Sequence, residues 1–424
     1  MFNLLMILLL LIFLGIPIAF SIGFSIFSFS FFNNIPIESI LQQMIRGVDS
    51  FVLLAVPAFI FAGKLMNMGG ITKRLFKFAN CFTGHIPGGL AHANVVASVI
   101  FAGMSGSAVA DAGGLGSIEI EAMKNNGYTP GFSTAVTAAS SIIGPIIPPS
   151  IPAVLYAASA GVSVGRLFIA GIIPGLLLAI SMMVLIYFIA VKRGYENKKR
   201  ATFKEILKSF SESFYALLAP FIIIGGIVAG IFTPTEAATI AVFYAFVISA
   251  FVYRELNLRI LYKTILESII ATSVIGIIIA FSFGLSYLLT ISQISQRTAQ
   301  LLLGMTSNPL VVLLILNVFF LIVGLFMDPT PAILILTPIL IPIVIKVGID
   351  PIHFGIVMIL NLMIGLITPP VGMCLYAVAS IGKVSVEGVM KELLPFFIPA
   401  VFILLLLIFF PDLVLFLPNL IMGG

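Results

Sequence analysis

The chain has 424 residues, of which 61% are hydrophobic and 9% charged, with a mean hydropathy of +1.24. An ordinary soluble domain carries about 25% charged residues, so this composition excludes a soluble globular enzyme and specifies an all-α polytopic membrane protein. The net charge of +5 does not make a nucleic-acid surface, because the basic residues stand at the ends of apolar runs, and two cysteines, Cys81 and Cys374, are too few for a disulfide framework and read as packing residues.

The amino-terminal apolar run reaches about Phe32 without a basic leading region or a small-residue cleavage site, which predicts a retained first span over about 3–31 rather than a signal peptide. From Ile37 to Arg46, residues Ile37, Ile40, Leu41, Met44 and Ile45 share one face, and Glu38, Gln42, Gln43 and Arg46 the other. That is the pattern of a helix lying in the membrane interface. A span over about 51–68 follows, then a polar stretch with Lys73, Arg74 and Lys77. Between Ile86 and Asn125 a moderately apolar region carries GMSGSAVADAGG at its centre. Neither flank makes a comfortable full crossing, so the region predicts a re-entrant hairpin with its tip over about 103–110, near Ser105.

The next segment, about 132–157, holds Gly144 and prolines 145, 148, 149 and 152 inside an apolar run. Proline removes a backbone donor and clashes with the preceding turn, so the segment predicts two half-helices joined by unwound backbone. Backbone freed at membrane depth is stable only where protein encloses it or it lines a wet cavity. The broken helix is therefore a predicted binding element.

A span over about 167–191 ends in KRGYENKKR, Lys192 to Arg200, the most basic stretch of the chain and a predicted cytoplasmic loop. Spans over about 214–232 and 235–253 flank the turn TPTE, whose Glu236 reads as an N-terminal helix cap. A second amphipathic segment, Leu256–Leu266, precedes a span over about 268–290. A second hairpin with its tip over about 324–332, a second broken helix over about 352–379 and a last span over about 392–411 complete the chain. The second break repeats the first: Ile143-Gly144 answers Ile364-Gly365, Pro148-Pro149 answers Pro369-Pro370, and Leu155-Tyr156-Ala157 answers Leu375-Tyr376-Ala377.

The expected division is a first repeat over 1–212 and, over 213–424, a connecting span with the second repeat. One odd span between the two inverts the second in the membrane. With the amino terminus cytoplasmic, sixteen Lys and Arg residues, Lys198 among them, face inward, and only Arg46, Arg166, Arg297 and Lys346 face outward. Inverted repeats with discontinuous helices are the signature of secondary transporters.

The run GMSGSAVADAGGLGSIEIEAMKNNGYTPGFSTAVTAASSIIGPIIPPSIPAVLYAA closely resembles the signature region of the large membrane (M) subunit of TRAP transporters, the tripartite ATP-independent periplasmic family. GGIVAGIFTPTEAATIAVFYAF and GLFMDPTPAILILTPILIPI resemble its second-half motifs, so the likeness covers essentially the whole chain. The resemblance implies an elevator-type fold in a bacterial or archaeal cytoplasmic (inner) membrane. It implies sodium-coupled symport of a small organic acid, a carboxylate or sulfonate, delivered by a periplasmic substrate-binding protein. It also implies a small membrane subunit, expected here as a separate chain because this sequence starts directly with the large subunit's first span.

Serine hydroxyls, glycine-exposed carbonyls and carbonyls freed by proline are hard oxygen ligands that suit Na⁺, the expected coupling ion; no organic cofactor and no other metal is expected. The first ion site is assigned to Ser105 and Gly106 at the hairpin tip, facing the backbone of Gly144, Ile147 and Pro149. By the repeat, the second is assigned to Asp328 and Thr330, facing Gly365, Thr368 and Gly372. Ser107 and Pro329 at the tips, with Ser140, Ser141 and Asn361 just before the breaks, are assigned to the substrate. An aspartate near the bilayer centre costs about 2.5–3.5 kcal/mol on insertion scales, which singles out Asp328; its competing role is to cap the helix after the tip. Asp111, six residues past Ser105, faces either the hairpin's cytoplasmic vestibule or packing. His85, His92 and His353 lack metal-ligand spacing.

Three other classes compete with this reading. Gly103-Met104-Ser105-Gly106 fits the GxSG pattern of rhomboid intramembrane serine proteases, but a protease has no use for a second broken helix. An ATP-driven pump needs a GxxxxGK[ST] loop, which the sequence lacks. A free-standing sodium-coupled carboxylate carrier is the nearer alternative. The resemblance places an arginine near the site in sialic-acid members, whereas the span Ile269–Thr290 has no basic residue, which counts against sialic acid and leaves the identity of the organic acid open.

Overall fold

The computed structural model describes residues 2–195, 197, 199–293, 296, 300, 304, 306 and 308–423; Lys198 and Arg297 of the charge asymmetry lie outside the described residues. Among these residues every regular element is helical, and eight segments are long and apolar enough to cross a membrane.

The expected first span is two helices, α1 (Phe2–Phe13) and α2 (Ile18–Phe32). Gly15 takes φ +79° between them, and Pro17, with no N–H to give, stands at the start of α2. The amphipathic helix α3 (Ile37–Val48) forms as the pattern predicts, and its Ile40 is fully buried. A 3₁₀ turn, Phe51–Leu54, leads into α4 (Ala55–Met68). The polar stretch after it is a helix, α5 (Ile71–Thr83), which buries Ile71, Leu75, Phe76 and Ala79 at helical spacing. Two ion pairs anchor its polar face, Arg74 to Glu255 at 2.7 Å in the second half of the chain and Lys77 to Glu212 at 2.6 Å at the end of the first.

The first hairpin enters through α6 (Gly89–Ser105) and returns through a short α7 (Ala108–Ala110), a π turn (Asp111–Leu115) and α8 (Gly116–Asn125). The broken helix follows as α9 (Pro130–Ser141) and α10 (Ile151–Ala160), then α11 (Val164–Arg193). Helices α12 (Phe203–Val228) and α13 (Pro234–Val247) each begin in a capping box, Thr202 with Glu205 and Thr233 with Glu236; the N-cap of α13 is thus Thr233, and Glu236, expected as the cap, is its partner, accepting from Thr233 N at 2.8 Å.

A correction falls on Leu256–Leu266. That segment and the span after it form one continuous helix, α14 (Leu258–Ile291), of 34 residues. No glycine or proline interrupts it before Gly276, and the hydroxyls of Thr264 and Ser268 bond back to Ile260 O (2.8 Å) and Thr264 O (2.7 Å) within the helix. Helix α3 packs along α14, with Gly47 against the Phe283 ring and Gly284 against Met44 and Ile40.

The second hairpin is α15 (Pro309–Phe326) and α16 (Pro329–Lys346), and the second broken helix is α17 (Pro351–Gly365) and α18 (Met373–Gly382). The last expected span is α19 (Val386–Leu393) running through a 3₁₀ turn into α20 (Phe397–Phe409). After Pro411 a further helix, α21 (Asp412–Met422), packs against α11, an element the sequence reading did not include.

The halves cross over one another. Helix α10 packs on α16, and α18 packs on α9 and α8. The buried Tyr156 of α10 donates its hydroxyl to Pro351 O at 2.6 Å, and its ring fills the space a side chain at Gly355 would need. Around this core, α4 lies against α13 and α14, and α5 against α12.

Candidate functional site

Thr129 accepts from Phe132 N at 3.4 Å to start α9, with Pro130 in the first turn where no N–H is needed. The helix stops at Ser141 because Pro145, Pro148 and Pro149 supply no donors. Residues 142–150 instead run as tight turns, with Ile143 N on Ser140 O (3.0 Å) and Gly144 N on Ser141 O (3.2 Å). Ser150 starts α10 by accepting from Ala153 N at 3.1 Å, while its hydroxyl donates to Pro145 O across the break.

The first hairpin tip closes onto this break. Gly106 turns the chain at φ +60°, Ser107 caps the return arm, and Ile151 N donates to Gly106 O at 3.2 Å. A Cβ at Gly106 would overlap Pro149 O, so only glycine permits the approach. The open face of Gly144 looks onto the Ser107 carbonyl, 3.7 Å from where its Cβ would stand.

The second tip repeats the arrangement. Asp328 caps α16 by accepting from Thr330 N at 2.8 Å, and Val371 N donates to Leu325 O at 3.2 Å, so this hairpin too bonds to backbone just past a Pro-Pro pair, one residue closer to it than Ile151 in the first half. A Cβ on Gly324 would lie 3.2 Å from Gly365 Cα, and one on Gly365 would overlap Gly324 O; two glycines let hairpin and broken helix touch backbone to backbone. Residues 366–372 are unwound, Gly372 takes φ +29°, and both Pro148-Pro149 and Pro369-Pro370 are cis.

The family model described as "Tripartite ATP-independent periplasmic transporter, DctM component" matches residues 5–413. The chain belongs to this family. Among its relatives, the sialic acid TRAP transporter large permease protein SiaM of Vibrio cholerae serotype O1 is 44% identical over 414 residues, 97% of each chain. The C4-dicarboxylate TRAP transporter large permease protein DctM of Pseudomonas aeruginosa is 40% identical over 92% of this chain and 91% of its own. The isethionate TRAP transporter permease protein DctMQ of Oleidesulfovibrio alaskensis is 39% identical over 95% of this chain, which spans 64% of that protein. Among solved structures, the YdaH transporter of Alcanivorax borkumensis superposes with a TM-score of 0.65 over 89% of each chain at 14% identity, a likeness of fold alone. The protein is a TRAP transporter permease subunit and not an enzyme.

In this TRAP permease the residues assigned from the sequence fall into two groups. Gly106, Ser107, Gly144 and Pro149 meet at the first tip, and Gly365 meets the second hairpin at Gly324, beside the Asp328 cap. Ser105 lies at the end of α6, 1% exposed, and its hydroxyl has no hydrogen-bond partner. A buried hard oxygen left free at the tip is what an Na⁺ ligand requires. Pro329 is buried in the first turn of α16. Ile147 lies in the unwound stretch with its side chain against Gly175 of α11. The Thr368 hydroxyl donates to Ile364 O at 2.7 Å, and that of Ser141 to Ala138 O at 2.8 Å, so both protons are spent on the preceding turn.

Two asparagines that the sequence assignments did not include tie each hairpin to its broken helix. Ser140 Oγ donates to Asn94 Oδ1 at 2.7 Å, and Asn94 Nδ2 donates to Thr137 Oγ1 at 2.7 Å. In the second half, Asn361 Nδ2 donates to Asn317 Oδ1 at 2.7 Å and Asn317 O at 3.0 Å, leaving Asn361 Oδ1 buried without a partner. Each tie joins the entering arm of a hairpin to the entering half of its broken helix. The signal was in the sequence: Asn94 stands eleven residues before Ser105, and Asn317 eleven before Asp328, each inside an apolar run.

Proposed function

We propose that this chain is the translocating subunit of a sodium-coupled symporter that imports a small organic acid through the inner membrane by elevator-type movement. In this reading, Na⁺ binds where each hairpin tip meets its break, at Ser105, Gly106, Gly144, Ile147 and Pro149 in the first half and at Asp328, Thr330, Gly365, Thr368 and Gly372 in the second. The observation that carries it is that each hairpin bonds backbone to backbone with its own break, Gly106 O with Ile151 N and Leu325 O with Val371 N, each beside freed backbone oxygen and each tied by a buried asparagine. Carbonyl and hydroxyl oxygens in such a dry pocket suit a monovalent hard cation. The acid group of the substrate is drawn to the bound Na⁺ and to tip backbone N–H groups, with Ser107, Ser140, Ser141, Pro329 and Asn361 lining its place.

Relatives named for sialic acid, isethionate, 2,3-diketo-L-gulonate and C4-dicarboxylates support the organic-acid class. The family description supports a periplasmic substrate-binding protein as donor, and a small membrane subunit completes the tripartite complex. The topology in this reading places the amino terminus in the cytoplasm. Uptake assays with the three-component complex, offering each of these four acids in the presence of its binding protein, test the class. Accumulation of one of them with a Na⁺ gradient supports the reading; uptake by the lone chain at full rate assigns a free-standing carrier instead.

A further inference from the structure

The return arm of the first hairpin buries two carboxyl groups that the tip sites do not use. Glu119 on α8 is 0% exposed, and neither of its carboxyl oxygens has a hydrogen-bond partner. Asp111 opens the π turn one stretch earlier, 2% exposed, with Oδ2 unpartnered. Its charge bears directly on Glu119. From across the hairpin, the fully buried hydroxyl of Ser98 on α6 faces Asp111 and makes no other hydrogen bond. None of the five ion pairs among the described residues includes either acid.

Among the described residues no cation pairs with either acid. Helix α8 packs on α6, α9, α18 and the π turn. Of these, α6 contributes His92, α9 has no titratable residue, α18 contributes Cys374 and Tyr376, and the π turn contributes Asp111. On α8 itself stand Glu121 and Lys124, and the Lys124 ammonium donates to Gly382 O at 3.2 Å. Helix α5 also touches the π turn, but it commits Arg74 to Glu255 and Lys77 to Glu212, its Lys73 is exposed, and Cys81 is its remaining titratable group. An ionised carboxylate isolated in a dry interior is so costly that the group neutralises instead, and two neighbouring carboxyls in one apolar site do not both ionise. A π turn inside a helix is also a frequent mark of a functional position.

We propose that Glu119, with Asp111 and Ser98 beside it, is a proton-binding site inside the first hairpin. Glu119 holds the proton as a neutral carboxylic acid while the hairpin is packed against α9 and α18, and wetting of the hairpin releases it. While Glu119 keeps its proton, the hairpin carries one negative charge fewer when it moves through the low-dielectric part of the membrane. This inference does not depend on which ion occupies the tips.

Infrared spectroscopy of the full transporter complex in lipid, with glutamate side-chain carboxyls labelled with ¹³C, tests it without any substitution. Glu119 is the only fully buried glutamate among the described residues, so a protonated-carboxyl band at neutral pH that moves on glutamate labelling reports on it. The expected result is such a band, present with and without Na⁺ and absent in Glu119→Gln. Asp111→Asn removes the neighbouring negative charge and shifts the loss of this band to lower pH. Glutamate absorbing only as carboxylate overturns the proposal, as does a protonated band that appears only when Na⁺ is withdrawn, which assigns the site to a metal cation. A titration unmoved by Asp111→Asn overturns the two-carboxyl form of the site.

Discussion

Asn361 donates to Asn317 across 2.7 Å in the second half, and Ser140 donates to Asn94 across the same distance in the first. These four residues are fully or almost fully buried, so the bonds fix the depth at which each hairpin sits against its broken helix. That depth decides whether Gly106 O and Leu325 O meet the N–H groups of Ile151 and Val371. Asn94→Ala removes the bonds to both Ser140 and Thr137, and a buried pair of this kind is worth about 1–3 kcal/mol. Thermal unfolding in detergent is expected to shift down accordingly, and half-maximal uptake to need more Na⁺. An unchanged Na⁺ requirement at lowered stability leaves the tie a purely structural one.

Gly106→Ala places a methyl group against Pro149 O and strains a residue at φ +60°. The tip is then held off the break, and uptake is expected to be lost while the complex still assembles. Gly113→Ala is the control, since a Cβ there has nothing within 4 Å. Equal uptake by the two variants contradicts the closure as the functional contact.

Asp328 accepts from Thr330 N, so capping and any role in ion binding are carried by one side chain. Asp328→Ala loses the cap, at about 0.5–2 kcal/mol, together with the charge. Asp328→Asn keeps an acceptor for Thr330 N and loses only the charge. Weakened uptake by the asparagine variant at wild-type thermal stability is the expected outcome; full uptake with unaltered Na⁺ dependence reduces Asp328 to a cap.

Much of this arrangement was legible because proline and glycine act locally. Four prolines cannot sit in one helix, so the unwound stretch at 142–150 followed from residue type alone, and the TPTE turn announced its capping box. What was not legible depended on contacts between distant segments. The amphipathic face of Leu256–Leu266 looked like that of Ile37–Arg46, yet the helix of Ile37–Arg46 ends at Asp49-Ser50, whereas that of Leu256–Leu266 continues into α14, where no glycine or proline stands before Gly276 and α3 and α4 pack along it. The Lys73–Lys77 stretch read as polar because its apolar partners, at Leu75, Phe76 and Ala79, alternate with the charges at helical rather than continuous spacing. Glu119 gave no signal, since a glutamate between Ile118 and Ile120 on a short helix is normally solvated and only the folded hairpin buries it.

The inverted arrangement of the halves is tested by single cysteines at Asn197 and Lys346, both exposed in the structure. With the amino terminus cytoplasmic, an impermeant thiol reagent is expected to reach Asn197→Cys only from the cytoplasmic side and Lys346→Cys only from the outside. Labelling of both from one side contradicts the inversion.

Sodium coupling is the central claim, and uptake by proteoliposomes holding this chain, its small membrane partner and the binding protein tests it most directly. A membrane potential of 100 mV supplies about 2.3 kcal/mol for each net charge moved inward, so Na⁺ entry drives accumulation without ATP. The expected result is uptake that requires Na⁺, rises steeply with its concentration as two sites fill, and collapses when the gradient is dissipated. Uptake that proceeds unchanged with choline in place of Na⁺ contradicts the assignment of both hairpin tips.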